Sequence, residues 1–397
     1  MSRLFRDVEG GTLFPHGSVV CIGAFDGLHL GHRALVRHAA ARARQRGVPA
    51  VALSFEPLPR EFFAKGEPPP RLTLARAKIE GLRRFGADAV GLIRFDGRLS
   101  AMSAEDFVRQ VLAKRLQAQE VWIGPEFRFG HKRGGDIELL RRMGGALGFE
   151  AGEIEPVHQH GERVSATRIR ELLVAGEFAH AADLLGRPYA IGGRVVRGRQ
   201  LGRTLGFPTA NLRFPHTPAL AGIYATWVHG VSGDPDGSRP WPSVSSFGTR
   251  PTVAGVEPLL EAHLFDYQGD LYGRHIEVEF VAKLRDEEKF SGLDALTEQM
   301  HRDAEQARRI LHASPSQKPA YPCADADGAS PSQKSAYACA DADGASPSQK
   351  PARPCADADG ASPSQKPARP CADADGASPS QKPAHPCADS SINGRFP

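Results

Sequence analysis

Short runs rich in β-branched residues alternate with amphipathic helical stretches through the first part of the sequence, and the alternation stops near Arg187. The runs are Ser18–Ile22 (SVVCI), Ala50–Phe55 (AVALSF), Asp88–Phe95 (DAVGLIRF) and Glu120–Ile123 (EVWI). Helical patterns occupy His32–Arg46, Thr73–Phe85, Ala104–Leu116 and Asp136–Leu147. Strands separated by helices pair in parallel, because the crossover helix returns the chain to the edge it left. Residues 1–185 are therefore expected to form an open α/β sheet, with ligand groups at the carboxyl ends of the strands.

From about Arg187, Gly and Pro become frequent. Ile191–Val196, Ile223–His229, Leu259–Phe265 and Ile276–Val281 read as short strands without helices between them. That pattern predicts an antiparallel barrel or a sandwich, closed by an amphipathic helix at Leu293–Leu311. From Ser314 a block reading SPSQKPAYPCADADGA recurs with variants, its register marked by Cys323, Cys339, Cys355, Cys371 and Cys387. The block has almost no large apolar residues, so it cannot offset about 1–2 kcal/mol per residue of backbone ordering. Residues 313–397 are expected to be a disordered tail. One Cys and two carboxylates per flexible repeat define no coordination site, so a metal-binding array is the weaker reading.

The formal charge of +4 arises from 50 Lys and Arg against 46 Asp and Glu, too even a balance for a nucleic-acid binder. No apolar run approaches the roughly 18–20 residues that span a bilayer, and the first residues hold no continuous apolar segment of the secretory kind. A cytoplasmic protein, associated with neither membrane nor nucleic acid, is expected. Cys21 is the sole cysteine before Cys323, which excludes a disulfide within the folded region.

Directly after the first strand comes Gly23-Ala24-Phe25-Asp26-Gly27-Leu28-His29-Leu30-Gly31-His32. A helix beginning near Gly31 would place His29 and His32 over its N-terminus, where free N–H groups and the helix dipole favour an anion. Imidazoles there can donate to phosphate oxygens and stabilise charge developing at a transferred phosphorus. An isolated H-x-x-H reads equally as two surface histidines, and a metal site lacks a third ligand nearby; the strand–glycine–helix setting favours nucleotide. Val164–Arg170 opens another helix, in which Ser165 or Thr167 is a candidate N-cap. Arg168 and Arg170 there are either solvated or clamp a polyphosphate. Gly124–Gly130 places Phe127 and Phe129 around Arg128 in a loop at the sheet's ligand edge, to stack on a ring or to cover the core.

A second candidate site is Gly202-Arg203-Thr204-Leu205-Gly206-Phe207-Pro208-Thr209-Ala210-Asn211-Leu212. Without further context it reads as a loop. Thr209 and Asn211 alternate, and a hydroxyl with an amide oxygen suits a Mg²⁺ that bridges phosphates. In the strand-like Leu259–Phe265 run, alternation puts Glu261 and His263 on one face. Glu261 is either an exposed strand carboxylate or a base that accepts a hydroxyl proton.

The pieces GAFDGLHLGH, SFEPLPREFF (Ser54–Phe63), RLT (Arg71–Thr73), GPEFRFG and VSATRIR resemble the Rossmann-like nucleotidyltransferase module of bacterial bifunctional riboflavin kinase/FAD synthetases. GRTLGFPTANL, AGIYAT, FGTRPT, LEAHLFD, LYG and LRDEEKF resemble the six-stranded antiparallel riboflavin kinase β-barrel of the same family, in the family's order. Ala24, Leu58, Glu126 and Ala166 stand where the family more often has Asn, His, Asp or Asn, and Ser.

The resemblance implies an adenylyltransferase domain at 1–185 and a kinase domain at 186–312. With ATP and Mg²⁺ they would convert riboflavin to FMN and FMN to FAD, in a monomer or weak homo-oligomer. It implies that Gly23, Phe25, Asp26, Gly27, His29, His32, Ser165, Thr167, Arg168 and Arg170 bind nucleotide in the first domain, with Gly202, Thr209 and Asn211 in the second. Thr209 and Asn211 would hold the metal, and Glu261 would be the base towards the ribityl 5′-hydroxyl. Flavin would lie against Glu126, Phe127 and Phe129 in one site and Arg285, Glu288 and Phe290 in the other. A kinase-only chain, a non-enzymatic flavin-binding regulator and an adenylyltransferase for a pantetheine phosphate are the competing readings.

Overall fold

The computed structural model describes residues 3–198, 202, 205–216, 219–231, 239–252, 255–314 and 316. All of them belong to one compact unit, Met1–Pro331. The expected disordered tail falls, from residue 317 on, outside the described residues.

The N-terminal half holds strands β1 (Arg3–Phe5), β2 (Ser18–Ile22), β3 (Ala50–Glu56), β4 (Ala89–Arg94), β5 (Ala118–Ile123) and β6 (Glu150–Glu153), with a short hairpin β7 (His158–Gln159) and β8 (Glu162–Arg163). Its helices are α1 (Leu30–Arg46), α2 (Pro59–Phe62), α3 (Ala75–Arg84), α4 (Gly97–Ala101), α5 (Ala104–Asp106), α6 (Ile137–Leu147), α7 (Ala166–Ala175) and α8 (Phe178–Leu185). Six strands form one parallel sheet in the order β1-β4-β3-β2-β5-β6.

All five residues of β2 are buried, as a central strand covered on both faces requires. Alternation sends Val19 and Cys21 into one apolar cluster with Leu35, Val36 and Ala39 of α1, and Val20 and Ile22 into another with Val111 and Leu140. Burial pushes the free Cys21 thiol up to about 12, so it stays protonated. The chain leaves β2 towards β3 and β4, then returns to β2's other side as β5. The turns after β2 and β5 therefore flank the point where the strand order reverses, the place in such sheets where ligands bind.

The stretch expected as one helix over Ala104–Leu116 begins as α5 and continues as a π-helix over Phe107–Arg115. Its wider turn closes with Leu116 N–H donating to the Val111 carbonyl at 3.0 Å while Val108, Val111 and Leu112 are buried.

The C-terminal half is β9 (Ala190–Val196), β10 (Ala210–Arg213), β11 (Gly222–His229), β12 (Trp241–Thr252), β13 (Gly255–Leu264) and β14 (His275–Arg285), followed by helix α9 (Leu293–Ala313). Of the two expected architectures the barrel is the one formed: all pairs are antiparallel, and β9 pairs with both β14 and β10, which closes the ring β10-β13-β12-β11-β14-β9. Leu212, Tyr224, Phe247, Leu260 and Phe280 fill one core continuous with Leu172, Leu173 and Leu184 of α7 and α8. Ala304, Ala307 and Leu311 seal α9 onto the outside of the barrel against Phe207, Ala225 and Phe265.

Candidate active sites

The turn after β2 is built around Asp26, which is almost fully buried. Its Oδ1 accepts from the Leu72 and Thr73 N–H groups at 3.0 and 2.9 Å, and its Oδ2 accepts from Arg60 and, at 2.5 Å, from Arg170. Gly27 has φ +91°, a conformation that L side chains rarely adopt, and its N–H donates to Thr73 Oγ1 at 2.9 Å. His29 then caps α1, its Nδ1 accepting from the His32 N–H at 3.3 Å. The two imidazoles stack with centroids 3.7 Å apart. A Cβ on Gly31 would meet the His29 ring at 3.2 Å, so glycine there makes room for the stack.

Burial pushes His29 down to about 4, helped by Arg170 and Arg187 against the opposing charge of Asp26. Burial, His29 and Lys78 hold His32 well below the ordinary range. Both rings are thus neutral at neutral pH and face the positive end of a seventeen-residue helix.

Ser165 is the N-cap of α7, accepting from the Arg168 N–H at 3.2 Å, and Thr167 is exposed on the first turn. The two arginines divide. Arg168 pairs with Glu162 and Glu171 at 2.8 and 3.3 Å. Arg170 is buried on Asp26 and on the Pro70 carbonyl at 2.6 Å. In the loop after β5, Phe129 is a core residue packed on Phe107 with ring centroids 5.6 Å apart, while Phe127 is half-buried and stacks parallel to it. Of the two roles open to the loop aromatics, Phe129 is placed against the core, where it supports Phe127. Glu126, at φ +61°, pairs with Arg163 at 3.1 Å.

The barrel carries a separate cavity of about 580 Å³, walled among others by Thr209, Glu261, His263, Arg285, Glu288 and Phe290. Gly202 lies on its wall, and a Cβ there would meet the Phe207 carbonyl oxygen at 2.3 Å. The segment read as a loop is strand β10 from Ala210, which sets Asn211 opposite Glu261 of β13. Asn211 is buried and its Nδ2 donates to the Thr209 carbonyl and hydroxyl oxygens at 3.2 and 3.3 Å. His263 shares the cavity with Glu261, and its Nδ1 lies 2.9 Å from the Pro208 carbonyl oxygen. Arg285 is locked to Asp303 of α9 by contacts of 2.7–3.1 Å and covers the Phe290 ring at 5.6 Å. Burial raises the Glu287 carboxyl, and the charge of Glu261 raises it further against Arg285.

Two family models match the chain: FAD synthetase over residues 12–168 and riboflavin kinase over residues 185–311. The bifunctional riboflavin kinase/FMN adenylyltransferase of Escherichia coli (strain K12) is 43% identical over 312 residues, which is 78% of this chain and 98% of that one. The chain belongs to the bifunctional riboflavin kinase/FMN adenylyltransferase family.

Family members of the same name from Pseudomonas fluorescens and Haemophilus influenzae are 42% and 37% identical, over 76% and 78% of this chain and 94% and 100% of theirs. A solved Streptococcus pneumoniae structure, described as a macrolide-efflux protein, superposes with a TM-score of 0.63 at 28% identity, covering 77% of this chain and 98% of that one. Among the described residues no helix is long and apolar enough to cross a membrane. Both catalytic domains of the family are present.

The barrel site offers oxygen donors of the kind a divalent metal takes. Among the described residues, the Asn211 Oδ1 is buried without a hydrogen-bond partner, although a buried amide oxygen normally has one. A Cβ on Gly198 would come within 2.7 Å of that oxygen, so glycine keeps the space in front of it open. An unsatisfied amide oxygen beside the Thr209 hydroxyl is a hard-oxygen donor pair that fits Mg²⁺.

Residue-by-residue reading overlooked the groups that organise the first site: Arg60, the Leu72 and Thr73 amides, Lys78 and Arg187. They come from four separate segments, and nothing local in the sequence joins them. The motif stretches containing Arg60 and Leu72 were the one available signal.

Proposed function

We propose that the barrel domain, residues 186–312, phosphorylates riboflavin to FMN, and that the α/β domain, residues 1–185, adenylylates FMN to FAD, each with ATP. The supporting observation is that each site buries a polar atom for which the described residues supply no hydrogen-bond partner, His32 Nδ1 in one and Asn211 Oδ1 in the other. Unsatisfied buried groups are costly, so they mark where a ligand completes the bonding.

In the barrel, Thr209 and Asn211 would hold Mg²⁺ with the ATP phosphates. Bound there, the metal would neutralise phosphate charge. Glu261 accepts the proton of the ribityl 5′-hydroxyl as that oxygen takes the γ-phosphoryl group and ADP leaves. Arg285, braced by Asp303, closes the flavin end with Glu288 and Phe290.

In the α/β domain, an FMN phosphate oxygen attacks the α-phosphorus of ATP and pyrophosphate leaves. The α1 N-terminus and the neutral imidazoles of His29 and His32 donate towards the charge that develops. Gly23, Phe25, Asp26 and Gly27 shape the turn that holds the nucleotide. Arg168, on the helix opened by Ser165 and Thr167, exchanges Glu162 for phosphate, while Arg170 stays on Asp26 and orders the turn. Phe127, not Phe129, meets the flavin. The chain is read as cytoplasmic and as a monomer or weak homo-oligomer.

Purified protein given riboflavin, ATP and Mg²⁺ should yield FMN and then FAD by chromatography; absence of both products would refute the proposal. Glu261→Ala should stop FMN formation and spare conversion of supplied FMN to FAD. His29→Ala with His32→Ala should do the reverse, and equal loss of both steps in either variant would refute separate sites.

A further inference from the structure

Charges that act on the His29–His32 pair, those of Asp26, Arg170 and Lys78, belong to a group that the roles above leave out of balance. Asp26 from the β2 turn binds Arg60 and Arg170. Glu56 at the end of β3 binds Arg71 at 2.6 Å, and Glu61 of α2 binds the same guanidinium. Three carboxylates thus pair with three arginines. A fourth cation, Lys78 of α3, is completely buried, and among the described residues its Nζ has no hydrogen-bond partner.

Lys78 is not alone in this state. The Nδ1 of His32, the Oε2 of Glu56 and the Nε of Arg60 are also buried without partners among the described residues. These four unsatisfied polar atoms come from α1, the end of β3, α2 and α3. The groups whose charges act on Lys78 are Glu56, Asp26 and Glu61, which favour its protonation, and Arg71, which opposes it; its own charge is felt at His32 of α1. A buried ammonium without a hydrogen-bond partner is costly to hold even in the field of carboxylates. It is tolerable where an anion arrives to meet it, and a low-dielectric surrounding carries its field through neighbouring rings.

We propose that Lys78 is a further phosphate-binding residue of the adenylylation site, its ammonium taking the polyphosphate of the bound nucleotide as its counter-charge. This rests on the reading of the first site given above. Burial pushes the Lys78 ammonium down to about 8, with Glu56 and Asp26 opposing. Near that pH a share of the molecules is deprotonated, and an arriving anion draws a proton onto them. Nucleotide binding is thereby coupled to proton uptake in a pH range where His29 and His32 take no part.

The test is calorimetric titration of the full chain with ATP at pH 8, in two buffers of different ionisation enthalpy, paired with the FMN-to-FAD assay. The intact chain should take up a fraction of a proton at pH 8 and clearly less at pH 6.5. Lys78→Met should lose that uptake and raise the adenylylation KM for ATP at least tenfold, with riboflavin phosphorylation unchanged. Lys78→Arg, charged at every accessible pH, should lose the uptake yet keep a KM near that of the intact chain.

No uptake at pH 8 by the intact chain, or uptake and KM unaltered in Lys78→Met, would overturn the assignment, and the first outcome needs no variant to fold. A chain that cannot convert FMN to FAD at all would instead overturn the reading of the site.

Discussion

Replacing Asp26 by Asn changes no volume and removes one charge, so its effect reports on the electrostatics of the turn alone. The Asn oxygen can keep the Leu72 and Thr73 amides, which both bind Oδ1. Its NH₂ group then faces Arg60 and Arg170, donor against donor, where Oδ2 had accepted from both. A hydrogen bond between charged groups contributes about 1.5–3 kcal/mol. The Arg60 partner is 32% exposed and counts at the low end, whereas Arg170 is 10% exposed and is left buried without its counter-charge. Breaking a buried pair from one side costs about 3–5 kcal/mol, and that is the expected loss for the α/β domain. With a urea slope of roughly 2 kcal/mol/M, the corresponding midpoint falls by about 1.5–2.5 M. FMN adenylylation should fall about a hundredfold or more, because the Gly27–His29 backbone that Asp26 anchors carries the histidine pair. Riboflavin phosphorylation should stay within about threefold. A midpoint shift below about 0.3 M with adenylylation within twofold would refute the view that Asp26 organises the site.

Two further outcomes follow from the same geometry. His29 is held near 4 in the folded chain against an ordinary value of 6.5, so its contribution to stability is complete above 6.5 and is lost as pH falls towards 4. A His29→Asn variant keeps a capping oxygen but has no such dependence. The stability gap between the two proteins, measured by urea unfolding, should shrink by about 2 kcal/mol between pH 6.5 and 5 at about 1.4 kcal/mol per unit; a constant gap would show that the ring is not held neutral by the fold. In the barrel, Gly198→Ala puts a methyl within 2.7 Å of the Asn211 Oδ1. It should lower riboflavin phosphorylation at least tenfold, weaken its dependence on Mg²⁺ concentration and leave FMN adenylylation unchanged, so unaltered magnesium dependence would remove Asn211 from the metal site.

Much of the architecture was legible because it is written in short-range periodicity. The run Ser18–Ile22 coincides with β2, and the run Ala50–Phe55 gains one residue as β3. The edge strand β6, with the polar sequence EAGE, carries no apolar alternation and was invisible. Strand β10 was masked by the Gly and Pro that precede it, and it became a strand because β9 and β13 pair with it on either side. Candidate residues could be named wherever a motif is contiguous, as with His29 and His32 or Thr209 and Asn211. The role of Phe129 stayed open, since a sequence cannot tell an aromatic that faces a ligand from one packed on Phe107, where the structure places it.

What the sequence determined by itself was the order of units and the local chemistry: which strand leads into which turn, which helix start carries two imidazoles, which strand carries Glu261. Only the tertiary structure decided which charges meet. Asp26 is joined to Arg60 across 34 positions and to Arg170 across 144, and Arg285 reaches Asp303 only once α9 has docked on the barrel. Such pairings depend on how layers pack, so no periodicity encodes them. The same packing leaves the Lys78 ammonium and the Asn211 Oδ1 without partners among the described residues.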